Sequence, residues 1–373
     1  MDKTTGIEIL PTRNYGLDIL KIIAICLVCS YHFSILGATF LPIDNYTIGN
    51  IAYNLINMVN SMCIPIFFMV NGALLLNKEV DIKKHIKKSI VLLFSFFVWR
   101  IITILIIAVH NNVDFSQMTI GTIVNSFFLL EDFPTVDLSH LWFIPTLLSL
   151  YTIYPFFSFA FFKEDKKINY IYFFVLLLFV FMLIGGDAYY IQHIVFKEVK
   201  LNFDNLDKFF PFDQNRCGYI FYFLLGGVFV KNKEKLMKIK FRILVPTFLL
   251  GLTMLFTYKH FQPGLWDYVF GGYNLLPTIL MTSSLFAVCL KIPNEKIEKR
   301  KYLSKPIKLV GSNTITIYYT HWIVGYTIFI TNLYPHVGQG FINNSIKVFA
   351  FVIIGTICGA ILRKIPIIKL LVN

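Results

Sequence analysis

Apolar residues run through this chain in long blocks separated by short polar loops. The blocks show neither the alternation of a half-buried strand nor the single stripe of a helix lying on a soluble core. About 20 mostly apolar residues are needed for one helical crossing of a bilayer. By that measure the pattern predicts ten spans, roughly 15–38, 50–76, 89–110, 140–162, 168–186, 214–231, 241–259, 266–290, 311–333 and 345–363. Each is read as a helix, because a segment in lipid must satisfy its own backbone polar groups. The expected architecture is an all-α, polytopic membrane bundle of about ten transmembrane helices. No internal repeat, low-complexity tract or terminal soluble domain interrupts it, so residues 1–373 are expected to form one integral-membrane domain.

The first span breaks the apolar pattern in an informative way. Arg13 to Phe33 carries Asp18 and Lys21 near one end and His32 well inside. At 100° per residue these three fall within about 60° on one helical face, with Lys21 and His32 roughly 16 Å apart along the axis. Ionisable groups at membrane depth are costly and usually line a cavity or pathway. Asp18 is expected to pair with Lys21, and the face as a whole to form one wall of a site.

Composition supports the membrane reading. A chain that is 56% hydrophobic and 17% aromatic, with mean hydropathy +0.66, would expose too much apolar surface as an ordinary soluble domain. A net charge of +13 suggests nucleic acid only when the basic residues gather on a soluble face, and here they lie in the loops. Placing the N-terminus in the cytoplasm puts 26 of the 34 Lys and Arg residues on that side, whereas loops 39–49, 111–139 and 332–344 have none. Such asymmetry predicts an even number of spans with both termini cytoplasmic. The mixed-charge 187–213 loop is expected to cover the outer face as a lid or docking surface. The six cysteines suggest no disulfide framework, and the first span is too long and too polar for a cleaved signal peptide. Cys26, Cys29 and His32 spread over about 120° of helix, so no metal site is expected.

Other spans supply candidates for the opposite wall. Arg100 falls near mid-membrane in the third, where arginine seldom faces lipid, and is read as a site residue. His321 lies about 15 Å inside the ninth, beyond the capping residues Ser312, Asn313 and Thr314. Two readings stand for Trp142, an interfacial belt residue or a platform for a sugar ring. Asn71-Gly72 offers a polar group and a close helix approach, while Pro65 before it is expected to kink the second span. Gly226-Gly227 also reads as close packing. Lys84 and Lys87 share a face if their loop is helical, and either hold phosphates or simply obey the topology rule. The acidic residues of 111–139 either bind sugar hydroxyls or form a solvated loop.

Taken together, these pieces resemble the integral-membrane acyltransferase family 3, which includes O-acetylases of bacterial surface polysaccharides. The matching elements are Lys21 and His32 with ten residues between them, preceded by Leu17-Asp18; Pro65 to Gly72 as P-x-F-F-x-x-x-G; His140-Leu-Trp-Phe with Tyr151 and Pro155; and Gly311-Ser-Asn-Thr with Tyr318 and His321. Asn71 stands where the family often has serine, and Lys84 and Lys87 where relatives commonly use arginines. The resemblance implies an acyltransferase of the bacterial inner (plasma) membrane. It would move an acyl group, acetyl from acetyl-CoA, to a hydroxyl of a cell-surface or lipid-linked glycan.

On that implication Lys21, Lys84 and Lys87 bind the donor's phosphates, and His32 acts as general base or as a nucleophile forming an acyl-histidine. Arg100 binds a negative group or the developing oxyanion, His321 orients a substrate, and Trp142 and Asn71 contact the acceptor. Acetyl-CoA is a substrate here, with no resident cofactor and no nucleic-acid partner expected. The alternative is a transporter or flippase for a glycan or small anion, which also suits many spans with buried charges, although no paired halves with matching broken helices are visible.

Overall fold

The computed structural model describes residues 13–33, 48–128, 131, 133–134, 136–162, 168–195, 213–261, 272–327, 341–366 and 368–372. Lys3, Asp132, Lys163, Lys166, Lys167 and His336 lie outside the described residues. So do most of the 187–213 loop read as a lid and the ends of the spans assigned to 15–38, 266–290 and 311–333. Among the described residues the architecture is helical, with no β-strand.

In chain order the helices are α1 (Tyr15–Phe33), α2 (Ile48–Asn60), α3 (Cys63–Leu75), α4 (Ile82–His110), α5 (Ile120–Phe128), α6 (Phe143–Phe162), α7 (Ile168–Met182) and α8 (Ala188–Val195). There follow α9 (Gln214–Lys231), α10 (Lys233–Lys238), α11 (Phe241–Phe261), α12 (Leu276–Leu290), α13 (Asn294–Lys299), α14 (Lys301–Ser312), α15 (Thr314–Val324) and α16 (Phe341–Leu362). Every predicted span contains a helix. Among the described residues, seven stretches are long and apolar enough to cross a membrane: Tyr15–His32, Asn54–Leu75, Ile82–His110, Ser139–Phe161, Ile168–Asp187, Phe241–Phe261 and Ser345–Leu362. In the other three predicted spans, α9, α12 and α15 are shorter or more polar over their described extent.

The outer faces are what lipid requires. On α16, Ile346, Phe349, Ile353, Ile357 and Ile361 form an exposed apolar stripe, while Lys347, Phe351 and Thr356 turn inward. In water that polarity would be inverted; against acyl chains it costs nothing. The interior is organised around α1, which packs on α3, α12, α14, α15 and α16 and buries Leu17, Leu20, Ala24 and Val28 among them. Its polar face is thereby turned into the bundle.

The closest crossing joins α3 to α9. A Cβ added to Gly72 would stand 1.7 Å from the Phe223 carbonyl oxygen, and one added to Gly226 would stand 1.9 Å from that of Met69. Only glycine lets these two backbones touch, as both glycine signals in the sequence implied.

The second predicted span breaks at Ser61-Met62, one turn before Pro65, where a proline acts: Pro65 has no N–H to pair with Ser61 O, and a proline ring excludes the carbonyl four residues back. Pro65 is thus the third residue of α3, and the first i→i−4 bond after it runs from Ile66 N–H to Met62 O. Hydroxyls serve the break: Ser61 Oγ donates to Met58 O at 2.7 Å, and Thr278 Oγ1 donates to Ser61 Oγ at 3.0 Å. The interruption aims Cys63 and Ile64 into an interior cavity.

Candidate active site

At one end of the bundle the N-terminus of α1 meets the C-termini of α14 and α16 in a network of basic residues. Arg13 donates from Nε to Asp18 Oδ2 at 2.5 Å and from Nη2 to Lys308 O and Ser312 Oγ at 3.1 and 2.9 Å. Arg363 donates from Nη2 to the carbonyls of Ser312 and Val372. Cations suit this place because helix C-termini present unpaired carbonyls and a partial negative charge. The other Asp18 oxygen takes Lys21 Nζ at 2.6 Å. Asp18 therefore pairs with Lys21, as expected, and also ties it to Arg13.

Lys21 stands on the wall of a cavity of about 690 Å³ that opens at this basic end. The loop expected to carry Lys84 and Lys87 is helical. Asp81 caps α4 by accepting the Lys84 N–H at 3.0 Å, so the basic segment forms the first turns of a 29-residue helix. Lys84, Lys87 and Lys88 consequently line the same cavity as Lys21. Deeper in, its walls become apolar: Phe67, Val70, Leu92, Ile144 and Leu147. Asn71 also lines it, with its amide engaged on both sides. Its Nδ2 donates to Phe67 O at 2.8 Å, and its Oδ1 accepts the Tyr151 hydroxyl at 2.9 Å.

A second cavity of about 190 Å³ lies further along α1. Phe143 and Tyr318 line both cavities, so the two meet at this aromatic pair. The inner chamber is walled by Tyr31 and His32 of α1, Cys63 of α3, Tyr273, and His140 and Trp142 from the 3₁₀ turn Ser139–Trp142. The His32 ring centroid lies 5.5 Å from that of His321 and 5.0 Å from that of Trp322, edge-on to the indole. His321 Nδ1 lies 2.5 Å from Tyr318 O. A carbonyl only accepts, so Nδ1 carries the proton and donates, leaving the lone pair on Nε2.

The sequence candidates therefore separate into groups. Lys21, Lys84, Lys87 and Asn71 border the outer cavity, His32 and Trp142 border the inner one, and His321 backs His32 without bordering either. Arg100 is buried, and its guanidinium donates from Nε to Ser126 O, in α5, at 2.6 Å and from Nη2 to Glu131 O, beyond it, at 2.5 Å. Neither cavity has Arg100 in its wall. Sequence reasoning gave no role to Tyr31, Tyr273 or Trp322, because tyrosine and tryptophan in membrane spans are too common to stand out. His140 and Tyr318 were visible only as parts of the resemblance.

Among the described residues no group of three or more His, Cys, Asp or Glu side chains could hold a metal ion. The arrangement sets a cavity lined by four lysines and apolar side chains beside a smaller chamber with His32 and His140 in its wall. A family profile described as an acyltransferase domain, acyltransferase 3, matches residues 14–363. No curated protein and no solved structure gives a significant match.

Proposed function

This chain belongs to the acyltransferase 3 family of membrane proteins, and from that premise we propose that it transfers an acetyl group from acetyl-CoA to a hydroxyl of a glycan or lipid-linked sugar. The observation that carries the reading is the adjacency of two cavities that share Phe143 and Tyr318, one lined by Lys21, Lys84, Lys87 and Lys88 and the other by His32. Family membership favours chemistry over flux.

In the proposed mechanism the nucleotide phosphates rest on the lysines, which act as point charges rather than bidentate forks. The narrow pantetheine arm passes Phe143 and Tyr318, and the thioester enters the inner chamber. His32 then takes the proton of the acceptor hydroxyl as its oxygen attacks the thioester carbonyl. The C–O bond forms, the C–S bond breaks, and CoA leaves as the thiol after receiving a proton from His32. Attack by His32 itself, through an acyl-imidazole that the acceptor then resolves, uses the same placement. His321, fixed by its bond to Tyr318 O, holds the His32 ring in place. Arg100 acts at a distance by securing the segment after α5.

On this reading the donor enters from the cytoplasm of a bacterial cell, the basic end of the bundle and both termini face that side, and the acceptor is approached from the opposite face of the plasma membrane. The test is incubation of purified protein in lipid nanodiscs with acetyl-labelled CoA and a panel of glycans. Label transfer and CoA release are expected in the wild type and absent in a stably inserted His32→Ala variant. Undiminished turnover in that variant would remove His32 from the mechanism, and absence of donor turnover in the wild type would sink the whole reading.

A further inference from the structure

His140 is buried to 1% exposure and lines the inner chamber, yet neither of its ring nitrogens has a hydrogen-bond partner among the described residues. Buried polar groups in folded proteins are nearly always paired, so an imidazole with two open edges on a cavity is prepared for a ligand. Its position is fixed by everything except those edges. The ring stacks on Trp322 with centroids 4.4 Å apart and planes within 11°. Trp322 is pinned in turn, its Nε1 donating to Asp137 O at 2.8 Å. The His140 backbone carbonyl accepts the Tyr318 hydroxyl. His321 approaches edge-on at 5.7 Å.

Trp322 thus carries His140 on its face and meets His32 edge-on, so two imidazoles reach the same small chamber from α1 and from the start of α6. A neutral imidazole offers one N–H donor and one lone pair. A hydroxyl complements either one, and a thioester carbonyl complements only the donor. We propose that His140 is a substrate-binding residue for the acceptor: it hydrogen-bonds a second hydroxyl, next to the one being acylated, and so selects polyhydroxylated acceptors over isolated alcohols. The inference rests on the acyl-transfer reading above and names what the same chamber recognises.

The experiment uses full-length protein in nanodiscs, labelled acetyl-CoA, and two probe acceptors, trans-cyclohexane-1,2-diol and cyclohexanol. Wild type is expected to favour the diol by about tenfold or more in kcat/KM, chiefly through KM, as loss of a hydrogen bond in a site built for it predicts. His140→Phe keeps a flat ring on Trp322 and removes both nitrogens. It should bind acetyl-CoA within about twofold of wild type while losing the diol preference. His140→Gln keeps an amide donor and acceptor and should restore part of it, which a merely structural role would not do. A diol preference unchanged in His140→Phe overturns the proposal, as does loss of acetyl-CoA binding in step with transfer, or no preference in wild type. Absence of CoA-dependent transfer to any hydroxyl in wild type instead fells the acyltransferase reading, and this inference with it.

Discussion

Arg100 and His32 are both ionisable groups at membrane depth, and their neighbours divide them. Arg100 directs two N–H groups at the carbonyls of Ser126 and Glu131 and lines neither cavity, whereas His32 lines the inner one. A charge-assisted hydrogen bond of this kind contributes about 1.5–3 kcal/mol. Lysine keeps the charge but cannot reproduce two diverging N–H donors on one planar group. Arg100→Lys is therefore expected to lower the melting temperature in detergent while leaving acetyl-CoA affinity within about twofold; a selective loss of donor affinity with unchanged melting would return Arg100 to the site. The sequence exposed the depth of both residues, since depth follows from counting along an apolar run. It could not expose their partners. Carbonyls have no signature in sequence, so the Arg100 contacts to Ser126 and Glu131 do not show there. His140 shows in the sequence only within the His140-Leu-Trp-Phe element of the resemblance, because its place in a chamber depends on α1, α3 and Tyr273 closing around it.

Between elements, backbone proximity matters more than polarity. The α3–α9 crossing leaves no room for a methyl group at Gly72 or Gly226, where the obstacle is a carbonyl oxygen rather than a movable side chain. Gly72→Ala must push the helices apart, and overpacking of this sort typically costs about 1–3 kcal/mol. A clear fall in melting temperature is expected, whereas Pro65→Ala in the same helix should change it less, because Pro65 lies in the first turn of α3 and the Ser61 contacts to Met58 and Thr278 also hold the break. Comparable losses from both substitutions would contradict this account of the break. The two glycine signals were legible because small residues at a helix interface have a direct steric meaning. The break is legible too, because Pro65 acts on the carbonyl of Ser61 one turn back. The part of Ser61 is not: its hydroxyl donates to Met58 O and accepts from Thr278 of α12, a helix more than two hundred residues away in sequence.

At the scale of the molecule, the positive charge that orders the loops also defines one end of a cavity. The all-helical bundle and the lysine distribution were readable because lipid imposes length and the bilayer imposes sidedness. Whether that charge served only topology could not be decided until Lys21 from α1 and Lys84, Lys87 and Lys88 from α4 were found on one mouth. If these lysines attract the phosphates of the donor, the attraction is electrostatic at a wet opening and must weaken as salt shortens the screening length, from about 10 Å at 0.1 M to about 3 Å at 1 M. Wild-type KM for acetyl-CoA should rise several-fold over that range with kcat little changed, because the proposed mechanism puts the chemistry in the inner chamber, whose lining includes none of these lysines. A Lys84→Ala, Lys87→Ala double variant should begin with a raised KM at low salt and respond less to added salt. Parallel responses in the two proteins would mean that these lysines order the membrane topology without drawing in the donor. A shallower response confined to KM would identify the charged mouth as the donor's way in, with Asp18 holding Lys21 in place beside it.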